Sequence, residues 1–264
     1  MIFIKKKKII IISLFIIVPI LILFCLYYEQ KIPVLGYHSF YKYKSELNED
    51  NPEFINDINL FEKQMKYLKK HNYKTLTLDE FYCWKKGKCK QPRKSVVITI
   101  DDGNLSNYMY AFDILKKYNF NASVFYVGSY AENYGKEEGT IYDIMSLDLI
   151  KKCEKEYPNI KFYSHSYNLH GKPVTEFSLE EIKEDVKNMK KQGEFKYYAY
   201  PFGVYDDRMI NELKVNGYKM AFGFGPKKDY RKARKSDDDF KVARLNISNY
   251  VSMNKFILRL VIPF

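Results

Sequence analysis

Beyond residue 30 the chain alternates short apolar runs with amphipathic stretches of ten or so residues. That periodicity predicts strands alternating with helices. Ile32–Tyr37 reads as a strand, and polar residues 41–58, carrying Asn, Asp, Glu and Pro, read as a long loop. Asn59 offers an N-cap with Glu62 as its capping-box partner, ahead of Phe61, Met65 and Leu68 at helical spacing. The β-branched run Val96–Ile100 predicts a strand that stops at Asp101-Asp102-Gly103. Helix-like Tyr108–Tyr118 and strand-like Ala122–Val127 follow. Ser146 opens a helix with Leu147, Ile150 and Cys153 on one side, and Ile160–Tyr163 is strand-like. Ser178 and Glu181 form a second capping-box pattern before Ile182, Val186 and Met189. Tyr197–Tyr200 is a strand ended by Pro201 and Gly203; a helix over Arg208–Val215 and a strand over Tyr218–Phe222 complete the series.

Strands alternating with helices predict a parallel α/β architecture, with barrel-like closure favoured over an open sheet. No G-x-G-x-x-G turn suggests a dinucleotide fold. Barrel chemistry gathers at the C-terminal ends of strands. His38, Asp101, Asp102, His165 and the turn after Tyr200 all fall at such ends.

The first thirty residues form a different region. Four lysines, Lys5–Lys8, precede twenty uncharged residues, Ile9 to Tyr28. At 1.5 Å per residue such a helix spans roughly 30 Å, a bilayer's hydrocarbon thickness. Residues 1–30 are therefore expected to be a transmembrane anchor with a cytoplasmic N-terminus, and residues 31–264 an extracellular catalytic domain. A cleaved signal peptide competes, but the apolar stretch is long and no A-x-A-like site follows. Cys25 raises a lipoprotein reading, which the bulky Phe24 before it opposes.

The net charge of +12 would suit anionic partners. No zinc-finger spacing, RNA-binding aromatic motif or basic recognition helix accompanies it, so no nucleic-acid partner is expected. Cys83 and Cys89 flank Trp-Lys-Lys-Gly-Lys, with no further ligands nearby for a zinc site. In an oxidising exterior they are expected to close a short disulfide loop.

Two adjacent carboxylates at the end of an apolar strand are costly unless paired or bound to a cation. A bare Asp-Asp-Gly serves as readily in a turn or helix cap. The difference here is His165-Ser166-Tyr167-Asn168-Leu169-His170, which holds two of the four histidines just past a strand. On a helix the two rings would lie about 140° apart, so a loop must bring them together. Two imidazoles and one carboxylate, with positions left for water, form a catalytic metal set. Trp84, Tyr167 and Tyr205 offer aromatic faces to a sugar or, equally, to packing.

These motifs, with Tyr200-Pro201-Phe202-Gly203 and the opening strand Val34-Leu35-Gly36-Tyr37-His38, resemble the NodB-type polysaccharide deacetylases, carbohydrate esterase family 4. The five-residue His spacing, the Cys-Trp…Gly-Lys-Cys stretch and a terminal Arg-Leu-Asn-Ile segment resemble in particular the poly-β-1,6-N-acetylglucosamine deacetylases of biofilm matrix systems, in their short intercellular-adhesion form. The resemblance implies a distorted (β/α) barrel and an N-acetylglucosamine polymer as substrate. It assigns Asp102, His165 and His170 to one divalent metal, expected to be zinc, with cobalt, nickel and iron open to the same donors. It makes Asp101 the general base and the Phe202 backbone N–H an oxyanion donor. Two departures stand out. No histidine follows His170, which leaves His38 as the proton donor. Ala199 stands where the family carries an arginine, for which Arg244 is the candidate replacement. Ser166 is expected to brace the ligand loop. Peptidoglycan or chitin-type oligomers are alternative substrates for the same centre, and a non-catalytic polysaccharide-binding protein is the alternative of a different class.

Overall fold

The computed structural model describes residues 30–48, 52–224 and 231–262. The expected membrane segment lies outside the described residues. Among those residues no helix is long and apolar enough to cross a membrane. The described residues from Ile32 onward form one compact unit.

Its frame is a sheet of parallel strands: β1 (Val34–Tyr37), β5 (Ser95–Ile100), β6 (Ala122–Tyr126), β7 (Ile160–Ser164), β8 (Tyr197–Ala199) and β9 (Met220–Gly223). Two short pairings close the ends. β10 (Val242–Ala243) adds to β9, and β11 (Leu245–Asn246) adds to β1. Only Arg244 separates them, so a single bent run joins both edges of the sheet and nearly closes a barrel. Its N–H donates to the Gly223 carbonyl, and three residues later the Ile247 N–H donates to that of Gly36. β4 (Lys74–Thr75) extends the rim beside β5.

The parity of the strands decides what faces where. Val96, Ile98 and Ile100 point outward, into a core shared with Phe61, Met65 and Leu68 of helix α1 (Ile58–Lys70) and Phe112 and Leu115 of α3 (Phe112–Tyr118). The alternate residues fill the barrel, where Val34, Val97, Phe125, Tyr197, Ala199, Phe222 and Val242 form one cluster. Helix α2 (Leu78–Lys85) adds Leu78, Phe81 and Trp84 to that plug. Continued two residues at a time, the inward rows run from Val34 through Gly36 to His38, from Val97 through Thr99 to Asp101, and from Tyr163 to His165. The apolar plug thus ends in a polar rim.

Several sequence expectations shift. Helix α1 begins one residue before Asn59, because Asp57 is its cap and accepts the Asn59 N–H at 2.7 Å; Glu62 instead pairs with Lys117 at 2.6 Å. The segment read as a long loop contains β3 (Ile55–Asp57), which pairs in parallel with β2 (Ser39–Tyr41). Trp84 is fully buried beside Phe81 and offers no face to a ligand. Cys83 and Cys89 are joined as a disulfide, with Cα atoms 5.5 Å apart. The Ser178 capping box opens helix α6 (Leu179–Gln192) as its pattern indicates, and Ser146 caps α5 (Leu147–Glu156). The remaining helices are α4 (Gly128–Asn133), α7 (Asp207–Val215) and α8 (Met253–Val261).

Candidate active site

A cavity of about 600 Å³ opens at the C-terminal rim, lined by His38, Asp101, Asp102, His165, His170 and Phe202 among others. Among the described residues, three of the five non-glycine residues with left-handed backbone lie here: Asp102 (φ 71°), Ser166 (φ 73°) and Phe202 (φ 58°). The other two, Asn72 and Asn119, are asparagines, which tolerate this region well. The three at the site carry backbone strain of the sort that clusters at ligand clamps. Gly103 (φ 77°) completes the turn that swings Asp102 onto the rim. A Cβ there would lie 2.7 Å from the Cβ of Tyr126.

Asp102 meets both rings through one oxygen. His170 Nε2 lies 3.1 Å and His165 Nε2 3.4 Å from Asp102 Oδ1. One ligand atom from each of the three residues falls within 4.8 Å of the others. Behind the site, His165 Nδ1 lies 2.8 Å from the Ala199 carbonyl, which can only accept. Nδ1 therefore carries a hydrogen in either protonation state, so Nε2 is the atom that faces Asp102: it donates to the carboxylate when the ring is protonated, and in the neutral tautomer it carries the lone pair. The donor set and this fixed tautomer both fit a divalent cation. Burial opposes ionisation of Asp102, yet the hydrogen bonds from the two rings prevail and hold it well below the usual carboxylate range.

Asp101 is held from the other side. The Arg244 guanidinium donates through Nη1 to Oδ1 and through Nη2 to Oδ2, both at 2.7 Å, and Nη1 also reaches Thr99 Oγ1 at 3.3 Å. The Arg244 side chain is 0% and that of Asp101 1% exposed, so this is a buried bidentate pair. Burial raises the Asp101 pKa, but Arg244 outweighs it and the net shift is downward. Phe224 stacks over the guanidinium with its ring centre 4.2 Å away. The ring fits because residue 36 is glycine: a Cβ there would come within 2.7 Å of it.

His38 Nε2 stands 3.9 Å from Asp101 Oδ2, its ring flanked by Phe54 and Phe224. Burial lowers its pKa, against the pull of the two carboxylates. The Phe202 ring stacks on His170, centroids 5.5 Å apart. Ser166 is buried, and its hydroxyl accepts the Leu169 N–H at 3.1 Å. Tyr205 packs on Tyr200, and the Tyr167 hydroxyl donates to Glu132.

Sequence reasoning missed Phe54, Tyr142 and Phe224, which also line the cavity, and met Asn246 only as part of the Arg-Leu-Asn-Ile segment. Of the first three, only Phe224 carried a signal, lying two residues beyond the inward-facing Phe222.

A nearly closed parallel barrel with three imidazoles and two carboxylates on its C-terminal rim defines a class of barrel proteins with metal-type donors gathered at the strand ends. Within that class the chain belongs to the polysaccharide deacetylase family, whose sequence pattern matches residues 88–221. It is 32% identical over 207 residues to a protein of Staphylococcus aureus named poly-beta-1,6-N-acetyl-D-glucosamine N-deacetylase, a match covering 72% of this chain. That match spans 66% of the relative's length, just under two thirds. Two solved structures share the fold. The Streptococcus pyogenes deacetylase PplD, in complex with acetate, superposes with a TM-score of 0.73 at 22% identity, covering 88% of this chain and 99% of that one. IcaB from Ammonifex degensii superposes with a TM-score of 0.69 at 22% identity, covering 88% and 96%.

Proposed function

We propose that this chain is a metal-dependent N-deacetylase that removes acetyl groups from extracellular poly-β-1,6-N-acetylglucosamine, the exopolysaccharide of biofilm matrices, while anchored in the cell membrane by residues 1–30. One observation carries the chemistry: the ligand atoms of Asp102, His165 and His170 converge beside a second carboxylate held separately by arginine. The substrate reading is supported by the name of the Staphylococcus aureus relative. The anchor reading is supported by the uncharged stretch Ile9–Tyr28 behind four lysines.

Asp102, His165 and His170 would hold a divalent cation, zinc being the first expectation, which would supply Lewis acidity and bring the pKa of a water toward ~7. The chain's own groups do the rest. Asp101 is ionised, and the fork of Arg244 fixes its plane. Each of its oxygens keeps a lone pair beyond the one Arg244 uses. Asp101 takes the proton as water attacks the acetamide carbonyl. The backbone N–H of Phe202 donates to the oxyanion that develops, from a turn whose left-handed geometry is already set. His38 delivers a proton to the departing nitrogen. Because burial favours its neutral form, it must gain a proton before it delivers one; the proton Asp101 has drawn from the water supplies it, relayed through solvent because the 3.9 Å between the two groups exceeds hydrogen-bond reach.

Acetate release from purified polymers tests the proposal. The expected result is release from β-1,6-linked N-acetylglucosamine that falls at least about 10²-fold in Asp101→Asn. Release from peptidoglycan or β-1,4 oligomers alone would overturn the substrate. Undiminished release by Asp101→Asn would remove the base. A wild-type protein that binds polymer and releases nothing would make the chain a binding protein.

A further inference from the structure

We propose that Asp185, in the middle of helix α6, is a positioning residue that builds the His165–His170 loop into a cation site before any cation arrives; the inference rests on the metal-site reading above. Asp185 is 4% exposed and lies on the packed face of the helix, beside Ile182, Val186 and Met189. Its carboxylate collects three consecutive backbone N–H groups. Tyr167 donates to Oδ2 at 3.0 Å, and Asn168 and Leu169 donate to Oδ1 at 2.6 and 3.1 Å.

The arrangement answers a problem set by the spacing. Neither helix nor strand brings residues 165 and 170 to one point, so the chain between them must turn with its amides unpaired by secondary structure. Three such amides aimed at one place form an anion nest, and a buried carboxylate fills it. The hydrogen bonds of Asp185 go to this loop, and burial pushes its carboxyl up to about 6 against the pull of the three amides. A carboxylate kept out of water to hold one loop implies that the position of the loop matters.

Other contacts fix the strand side of the loop. The His165 N–H donates to the Tyr126 carbonyl, the Gly128 and Ser129 N–H groups donate to the carbonyls of Ser166 and Tyr167, and Ser129 Oγ donates to Asn168 Oδ1 at 2.8 Å. His165 is thereby pinned through its own backbone and its Nδ1. His170 follows the nest directly, one residue after Leu169. Asp185 therefore sets the reach of His170 toward Asp102 more than that of His165.

The test is zinc binding to the full-length chain in detergent, measured by competition with a chromophoric chelator, for wild type and Asp185→Asn. The amide variant keeps the shape but has only one acceptor oxygen. The expected result is a Kd weaker by about 10- to 100-fold, as for other groups that orient metal ligands. In excess zinc the kcat should return toward wild type, which a general loss of structure would not allow. A folded variant with an unchanged Kd overturns the proposal, whereas a wild type that binds no zinc overturns the metal-site reading instead. Hydrogen exchange on the zinc-free wild type keeps the test decisive if Asp185→Asn does not fold. Protected amides at Tyr167, Asn168 and Leu169 support a prebuilt loop; unprotected exchange at all three overturns it.

Discussion

Replacing Arg244 with methionine separates the barrel closure from the chemistry. The guanidinium is fully buried, makes two 2.7 Å hydrogen bonds to Asp101, and occupies the one residue between the two closing pairings of the sheet. At an effective dielectric of 20 and a charge separation near 4 Å, the attraction is about 4 kcal/mol. Removing one partner of such a pair strands the other, at a cost of roughly 3–5 kcal/mol. For a domain of this size that corresponds to a fall in Tm of about 6–20 °C. The pH profile should move as well. As the proposed base Asp101 must be ionised, and its pKa is lowered chiefly by Arg244. Without that cation its pKa rises, so the acid limb of kcat/KM shifts upward. Stability follows the same sign. A carboxylate with a depressed folded-state pKa stabilises the fold above its unfolded pKa, and the contribution is lost as pH falls through the folded one. Thermal unfolding from pH 3 to 8 and acetate release over the same range measure both effects. Arg244→Lys, which keeps charge and loses the fork, should fall between methionine and wild type. The reasoning is refuted if Arg244→Met melts within a degree or two of wild type and its acid limb does not move.

Three further outcomes are expected. His38→Gln should slow N-deacetylation by about 10²- to 10⁴-fold yet spare hydrolysis of an acetate ester whose leaving group needs no proton; equal losses on both substrates remove His38 as the donor. Gly103→Ala forces a side chain into left-handed backbone and against Tyr126, costing about 2–4 kcal/mol in chemical denaturation and weakening zinc binding, since it displaces the turn that carries Asp102. Replacing Cys83 and Cys89 by serine removes a cross-link across a six-residue separation, and the entropy of so short a loop amounts to about 2 kcal/mol of stability. Zinc affinity should be unchanged, because that loop braces the α2 helix of the barrel plug rather than the rim.

Much of this arrangement was legible in the sequence, for reasons that individual residues make plain. Val96–Ile100 is buried on both faces, so its unbroken apolar run marked both the strand and its sharp end at Asp101. Ser178 and Glu181 signalled a helix start because the capping box is a local interaction. Asn59 misled because the competing cap, Asp57, sits at the end of a three-residue strand too short to show a period. The closing run around Arg244, taken as a last strand, shows no strand period for the same reason; it pairs for two residues on each side and owes its place to the barrel. Arg244 itself was found through a gap in a familiar motif, the alanine at 199, rather than through any pattern of its own. Asp185 was hidden among the charges of Leu179–Gln192. Its signal was positional: it lies three residues after Ile182 and four before Met189, on the apolar face, where an unpaired carboxylate does not belong.

The central claim is that Asp102, His165 and His170 hold one divalent cation. An anomalous difference map from crystals grown with zinc tests it most directly. The account predicts one peak about 2.0–2.2 Å from Asp102 Oδ1 and from the Nε2 atoms of His165 and His170. A map without that peak, or with zinc bound only by other donors, would contradict it.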